Sequence, residues 1–179
     1  MLGSPKTHIT HMLISIVIER RREMSYNKGA YKKICDWLSE RKWKYTWDED
    51  KQNFLWEITL DGSTKSIQSI LHVDKDYYIS YAFASVRVCP ECRYDTLRLL
   101  NDINCRMIFG SFEMNNEESE VRFRMPVDCA TAMPTRGTIE KSIILPALMF
   151  SRFGDTIFDV ATGRIDGDEA MRAFRDKAQ

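Results

Sequence analysis

Cys89-Pro90-Glu91-Cys92 is the run in this chain whose residue types and spacing suggest reactive chemistry. A C-x-x-C run suits thiol–disulfide exchange, which needs two sulfurs within a turn of each other, or zinc binding, which needs two further ligands. Exchange gains support if the run opens a helix, because the positive end of the helix dipole favours a thiolate. Thioredoxin-type chemistry wants a βαβ unit, however, and the strands before Cys89 read as antiparallel. Zinc wants four ligands, and Cys105 and Cys129 stand without a second C-x-x-C. The residues favour a third reading, a strand-to-helix junction with Pro90 near the first helical turn.

The remaining candidates are weaker. His8 and His11, spaced i and i+3, could chelate a metal on a helix but belong to a polar terminal segment. His72 falls on the same side of its strand as Gln68 and Ile70, without a cysteine or acidic motif at ligand spacing, and reads as a partly buried sheet histidine. Gly62 to Ser66 (GSTKS) has the glycine and lysine of a phosphate loop but neither its spacing nor its strand-to-helix context. There is no serine elbow, no H-E-x-x-H and no carboxylate pair that spacing singles out. Asn101 and Asn104, polar neighbours beside an apolar stripe, suit hydrogen bonding at a packed helix edge. No catalytic, cofactor-binding or metal-ligating residue is assigned, and the chain is not expected to be an enzyme.

The elements that position these residues follow from periodicity. From Cys89 the chain predicts a central helix with Tyr94, Leu97, Leu100, Ile103 and Met107 as its buried stripe, broken at Gly110. Phe112 and Met114, then Val121, Phe123 and Met125, alternate with polar residues and predict an antiparallel hairpin. Upstream, Ser25 to Arg41 predicts a helix with Tyr31, Ile34, Cys35 and Leu38 on one face. Trp43, Tyr45 and Trp47 predict a strand, and Phe54 to Leu60 another, closed by the Asp61-Gly62 turn. Ile67 to Val73 and Tyr77 to Ala84 add two more around Asp74 to Asp76. Ile79, Tyr81 and Phe83 make one apolar face and Tyr78, Ser80 and Ala82 a mixed one, with helices expected on one of the two. Pro134 is placed to open a last long helix, in which Ile139, Ile143, Met149, Phe153, Ile157 and Val160 share a stripe. Pro146 predicts a kink or break near Leu145. Gly163 ends that helix, and Asp166 with Glu169 caps a short final one.

The bulk numbers set limits. A chain of 179 residues suits one α+β domain. Lys plus Arg and Asp plus Glu each number 26, so no net field attracts a polyanion, and nucleic-acid binding is not expected. Five cysteines without a secretory leader suit a reducing cytoplasm with free thiols. Met12 to Ile18 (MLISIVI) is the most hydrophobic run, but it is too short to span a bilayer, which takes about 20 residues. Its charges follow it, the reverse of a signal peptide, so neither export nor membrane insertion is expected. Residues 1–24 are read as an appendage to one domain over 25–179.

Four segments, Leu97 to Asn104 (LRLLNDIN), Gly110 to Asn115 (GSFEMN), Glu120 to Val127 (EVRFRMPV) and Phe158 to Phe174 (FDVATGRIDGDEAMRAF), resemble the bacterial YbjN family of sensory transduction regulators. The likeness covers about Gly29 to Phe174. It implies an antiparallel sheet of about five to six strands with helices, in the order α-β-β-β-β-α-β-β-α, and a fold like that of type III secretion chaperones. It also implies a non-enzymatic module, chaperone-like or regulatory, that holds a protein or peptide segment and pairs as a homodimer through the central helix. It carries across no catalytic residue and no cofactor. The amino-terminal arm and the C-x-x-C depart from the family pattern, and the alternative function, a thiol-based redox sensor or small zinc protein, rests on Cys89 and Cys92.

Overall fold

The computed structural model describes residues 26–115 and 117–176. His8, His11 and the Met12 to Ile18 run lie outside the described residues. Helix α1 (Lys28–Glu40) starts three residues later than expected because the Asn27 side chain accepts the Ala30 N–H at 2.9 Å, an N-cap that satisfies a donor the helix leaves open. Strand β1 (Thr46–Asp48) is shorter than the Trp43 to Trp47 alternation predicts. Trp43 instead packs tilted against Trp37 and edge-on to Trp56, and Tyr45 edge-on to Phe54, so aromatic contact takes the place of ladder bonds.

Strands β2 (Asn53–Thr59), β3 (Ser66–Val73) and β4 (Tyr77–Arg87) follow as a meander. A 3-10 turn (Pro90–Cys92) leads into the central helix α2 (Arg93–Asn104), then β5 (Ser111–Asn115) and β6 (Glu120–Asp128). The sheet is antiparallel throughout, in the order β1-β2-β3-β4-β6-β5. The chain therefore leaves β4 through α2, reaches the far edge as β5, and returns as β6 to pair with β4. Helices α3 (Arg136–Ala161) and α4 (Gly167–Asp176) complete the domain. The α+β class and the element order agree with the expectation.

All the described helices pack on one face of the sheet. On β4 that face carries Tyr78, Ser80, Ala82, Ala84 and Val86, all buried. Small side chains there let α3 approach closely, so the described helices lie on the mixed face and not on the aromatic one, where Ile79 is buried and Tyr81 and Phe83 are partly buried. Two core clusters result. One gathers Ile34, Trp37, Phe54, Tyr78, Ile139 and Ile143; the other gathers Leu99, Phe112, Phe123, Phe150, Ile157 and Val160.

Helix α3 spans both clusters, which explains why Pro146 does not break it. An interior proline costs about 3 kcal/mol, whereas each large apolar side chain anchored on either side returns about 2 kcal/mol. Pro146 is itself buried, between Ile143 in one cluster and Phe150 in the other. Four residues before it, the Ser142 hydroxyl donates to the Ile139 carbonyl at 2.8 Å and accepts from the Tyr78 hydroxyl at 3.0 Å. Burial pushes the Tyr78 phenol up to about 12, so it stays a donor over the physiological range.

The Gly62 to Ser66 loop is a pinned turn. Its Ser63 and Thr64 N–H groups donate to the Asp155 carboxylate of α3, at 2.7 and 3.3 Å, so a carboxylate sits where a phosphate loop would hold its ligand. Gly62 has φ +90°, and a Cβ there would run into the same carboxylate. Gly62→Ala should therefore destabilise the chain by about 1 kcal/mol or more, and by less in an Asp155→Ala background that removes the clash. Urea midpoints of the two single variants and the double variant measure that non-additivity.

Candidate binding surface on the central helix

Helix α2 is rotated from the expected stripe. Leu100 and Ile103 are buried as predicted, but Thr96 and Leu99 join them, while Tyr94 is 71% exposed and Leu97 46%. The buried set 96, 99, 100 and 103 is itself an i, i+3, i+4, i+7 pattern, and choosing it turns Tyr94 and Leu97 outward. These two lie one turn apart on the same exposed side. The Arg98 guanidinium lies 5.5 Å from the centre of the Tyr94 ring and pairs with Asp168 of α4 at 3.1 Å and with Asp95 at 3.7 Å. Tyr94 and Arg98 are residue types enriched in protein-binding hot spots, and here they stand beside the exposed Leu97.

At the start of the helix, Cys89 and Cys92 are joined by a disulfide, with Cα atoms 5.2 Å apart. The free-thiol expectation is corrected for these two: one turn of 3-10 helix brings their side chains together whatever the total cysteine count. The strand-to-helix junction stands as read, with Pro90 at the head of the turn. The Cys89 N–H donates to the Ala161 carbonyl at the end of α3 (2.9 Å), and the Val88 N–H to Ser119 in the β5–β6 turn (2.8 Å). Cys35, Cys105 and Cys129 are free. Cys129 is buried, and burial pushes its thiol up, away from reactive thiolate character.

At the other end, Asn104 does what its position beside the stripe suggested. Its side-chain amide donates to the Phe112 carbonyl and its oxygen accepts the Phe112 N–H, both at 2.8 Å. Phe112 lies on β5, the terminal strand, so Asn104 closes backbone groups that would otherwise face outward as a template for another strand. Asn101 is exposed on the same helix.

The other candidates do not assemble into a site. His72 is partly buried, its Nδ1 2.9 Å from Asn53 Oδ1 and 3.2 Å from the Lys51 carbonyl. Among the described residues no group of three or more His, Cys, Asp or Glu could hold a metal ion. A hollow of about 470 Å³, lined by Ser63, Lys65, Ser85, Phe158 and Arg164 among others, contains no carboxylate or histidine.

Asn104→Ala should lower stability by about 1–3 kcal/mol, since it leaves two backbone groups of Phe112 without partners, and should do so without changing the urea m-value. Reducing the disulfide, or Cys89→Ser with Cys92→Ser, should cost about 2 kcal/mol or less, the entropy of so short a ring, and leave the circular dichroism native.

The chain matches the model of the YbjN family, described as "Putative bacterial sensory transduction regulator", over residues 31–159. It also resembles the crystal structure of YbjN from E. coli, described as "a putative transcription regulator". The TM-score is 0.53 with 11% sequence identity, covering 78% of this chain and 97% of that one, a likeness of fold. No curated protein matches the chain. The family match covers well over half of the sequence and embraces α2, the hairpin and nearly all of α3, so the chain belongs to the YbjN family.

Proposed function

We propose that this chain is a non-enzymatic regulatory module of the cytoplasm that holds a protein segment against the outer side of α2. The observation that carries the reading is the exposure of Tyr94 and Leu97, one turn apart, beside Arg98. Large apolar side chains turned to solvent at the centre of a charged rim are what a partner helix or peptide buries. The family description as a regulator supports a binding role. The equal numbers of basic and acidic residues, 26 each, favour a protein over a nucleic acid as partner. No described helix is long and apolar enough to cross a membrane.

The closed edge at Phe112 favours docking by side chains over addition of a strand to β5. Pairing of two copies through α2 would use the same residues, and sedimentation velocity separates that case from a foreign partner. Tyr94→Ser with Leu97→Ser should leave the circular dichroism unchanged and weaken capture of the partner from native cytoplasm by about tenfold or more, the usual loss on removing two anchor residues. Recovery of the same proteins by the wild-type chain and the double variant would contradict the proposal.

A further inference from the structure

We infer that Cys89 and Cys92 form a reversible thiol–disulfide site, opened by a low-molecular-weight thiol and closed by the corresponding disulfide, which sets the order of the first turn of α2. The inference rests on the cytoplasmic setting proposed above and not on the identity of any partner. A disulfide in a reducing compartment is ordinarily regulatory or catalytic, since a structural one would not be maintained there.

Four observations make exchange the better account of this bond. The ring closes within one turn and links no distant elements, while both core clusters are held by apolar packing across the sheet, so the fold stands in either redox state. Cys89 and Cys92 are only partly buried, and Pro90 and Glu91 between them are exposed, so a thiolate can reach the bond. No other cysteine competes along the helix: Cys105 follows the far end of α2, about 20 Å from Cys92 at 1.5 Å per residue, and Cys129 is buried. Cys92 is the N-cap of α2, where the dipole favours a departing thiolate.

The step balances as two exchanges. A thiolate RS⁻ attacks one sulfur, the Cys89–Cys92 bond breaks, a mixed disulfide forms and the other cysteine leaves as thiolate. A second RS⁻ attacks the mixed disulfide and releases RSSR and the remaining thiolate. Two electrons pass to the protein, two thiols are oxidised, and the two cysteine thiolates take up the protons given by the two RSH.

The consequence is local. The turn is tied to the end of α3 through the Cys89 N–H to Ala161 and to the hairpin through Val88 and Ser119, and Gly163 lies against Cys92. Opening the ring frees the turn between those ties and the first turn of α2, which carries Tyr94.

The test equilibrates the full chain in glutathione mixtures of varied reduced-to-oxidised ratio, followed by acid quench, alkylation under denaturing conditions and mass analysis. Of the five cysteines, three should be alkylated at the oxidising end and all five at the reducing end, the two that change together being Cys89 and Cys92. Amide exchange in residues 88–97 should rise on reduction, and Cys89→Ser with Cys92→Ser should show the reduced pattern at every ratio, with native circular dichroism in both. Five alkylations at every ratio, three at every ratio, or amide exchange that is equal in the two states would overturn the inference.

Discussion

Burial of Thr96, Leu99, Leu100 and Ile103 sets the rotation of α2, and which side chains the helix turns to solvent depends on that rotation. At about 100° per residue, Tyr94 stands roughly 200° from Thr96, and Leu97 the same from Leu99. Once the inner side is chosen, these two apolar residues must face solvent. Arg98, held by Asp168 and Asp95, then lies over Tyr94 and fastens α2 to α4, so the exposed group rests on a helix fixed from below and from the side.

The same packing gathers the described helices on one face of the sheet. The long helix α3 joins two core clusters across Pro146, and α1 and α2 flank it. At the β5 edge Asn104 ties the helix to the strand and occupies the backbone of Phe112, while on the face away from the described helices Arg122 pairs with Glu113 at 2.6 Å and lies over the Tyr81 ring. The outer side of α2 thereby carries exposed apolar side chains on a packed helix, whereas Phe112 at the edge and Tyr81 on the other face are engaged in internal contacts.

Much of this was legible in the sequence because the signals were local. The Asp61-Gly62 turn, the hairpin alternation, the Asp166–Glu169 cap and the polar role of Asn104 each depend on a few adjacent residues, and each is present. The rotation of α2 was not legible, because 94-97-100-103 and 96-99-100-103 are both helical stripes, and Tyr counts as apolar while Thr does not. Which face of β4 carries the helices was open for a related reason: close helix approach selects Ser80, Ala82 and Ala84, whose burial alternation cannot distinguish from a solvated face. Pro146 was over-weighted because a local rule for proline carries no knowledge of the two clusters that hold its helix. The Cys89–Cys92 bond needed the geometry of the turn, which the cysteine count does not contain.

The most direct test of the account places a photo-crosslinking phenylalanine analogue at position 97, on the outer side of α2, or at position 57, exposed on the sheet face away from the described helices, and irradiates the protein in native cell extract. The account predicts a discrete protein adduct from position 97 and none from position 57. Equal adducts from both positions, or an adduct from position 57 alone, would contradict it.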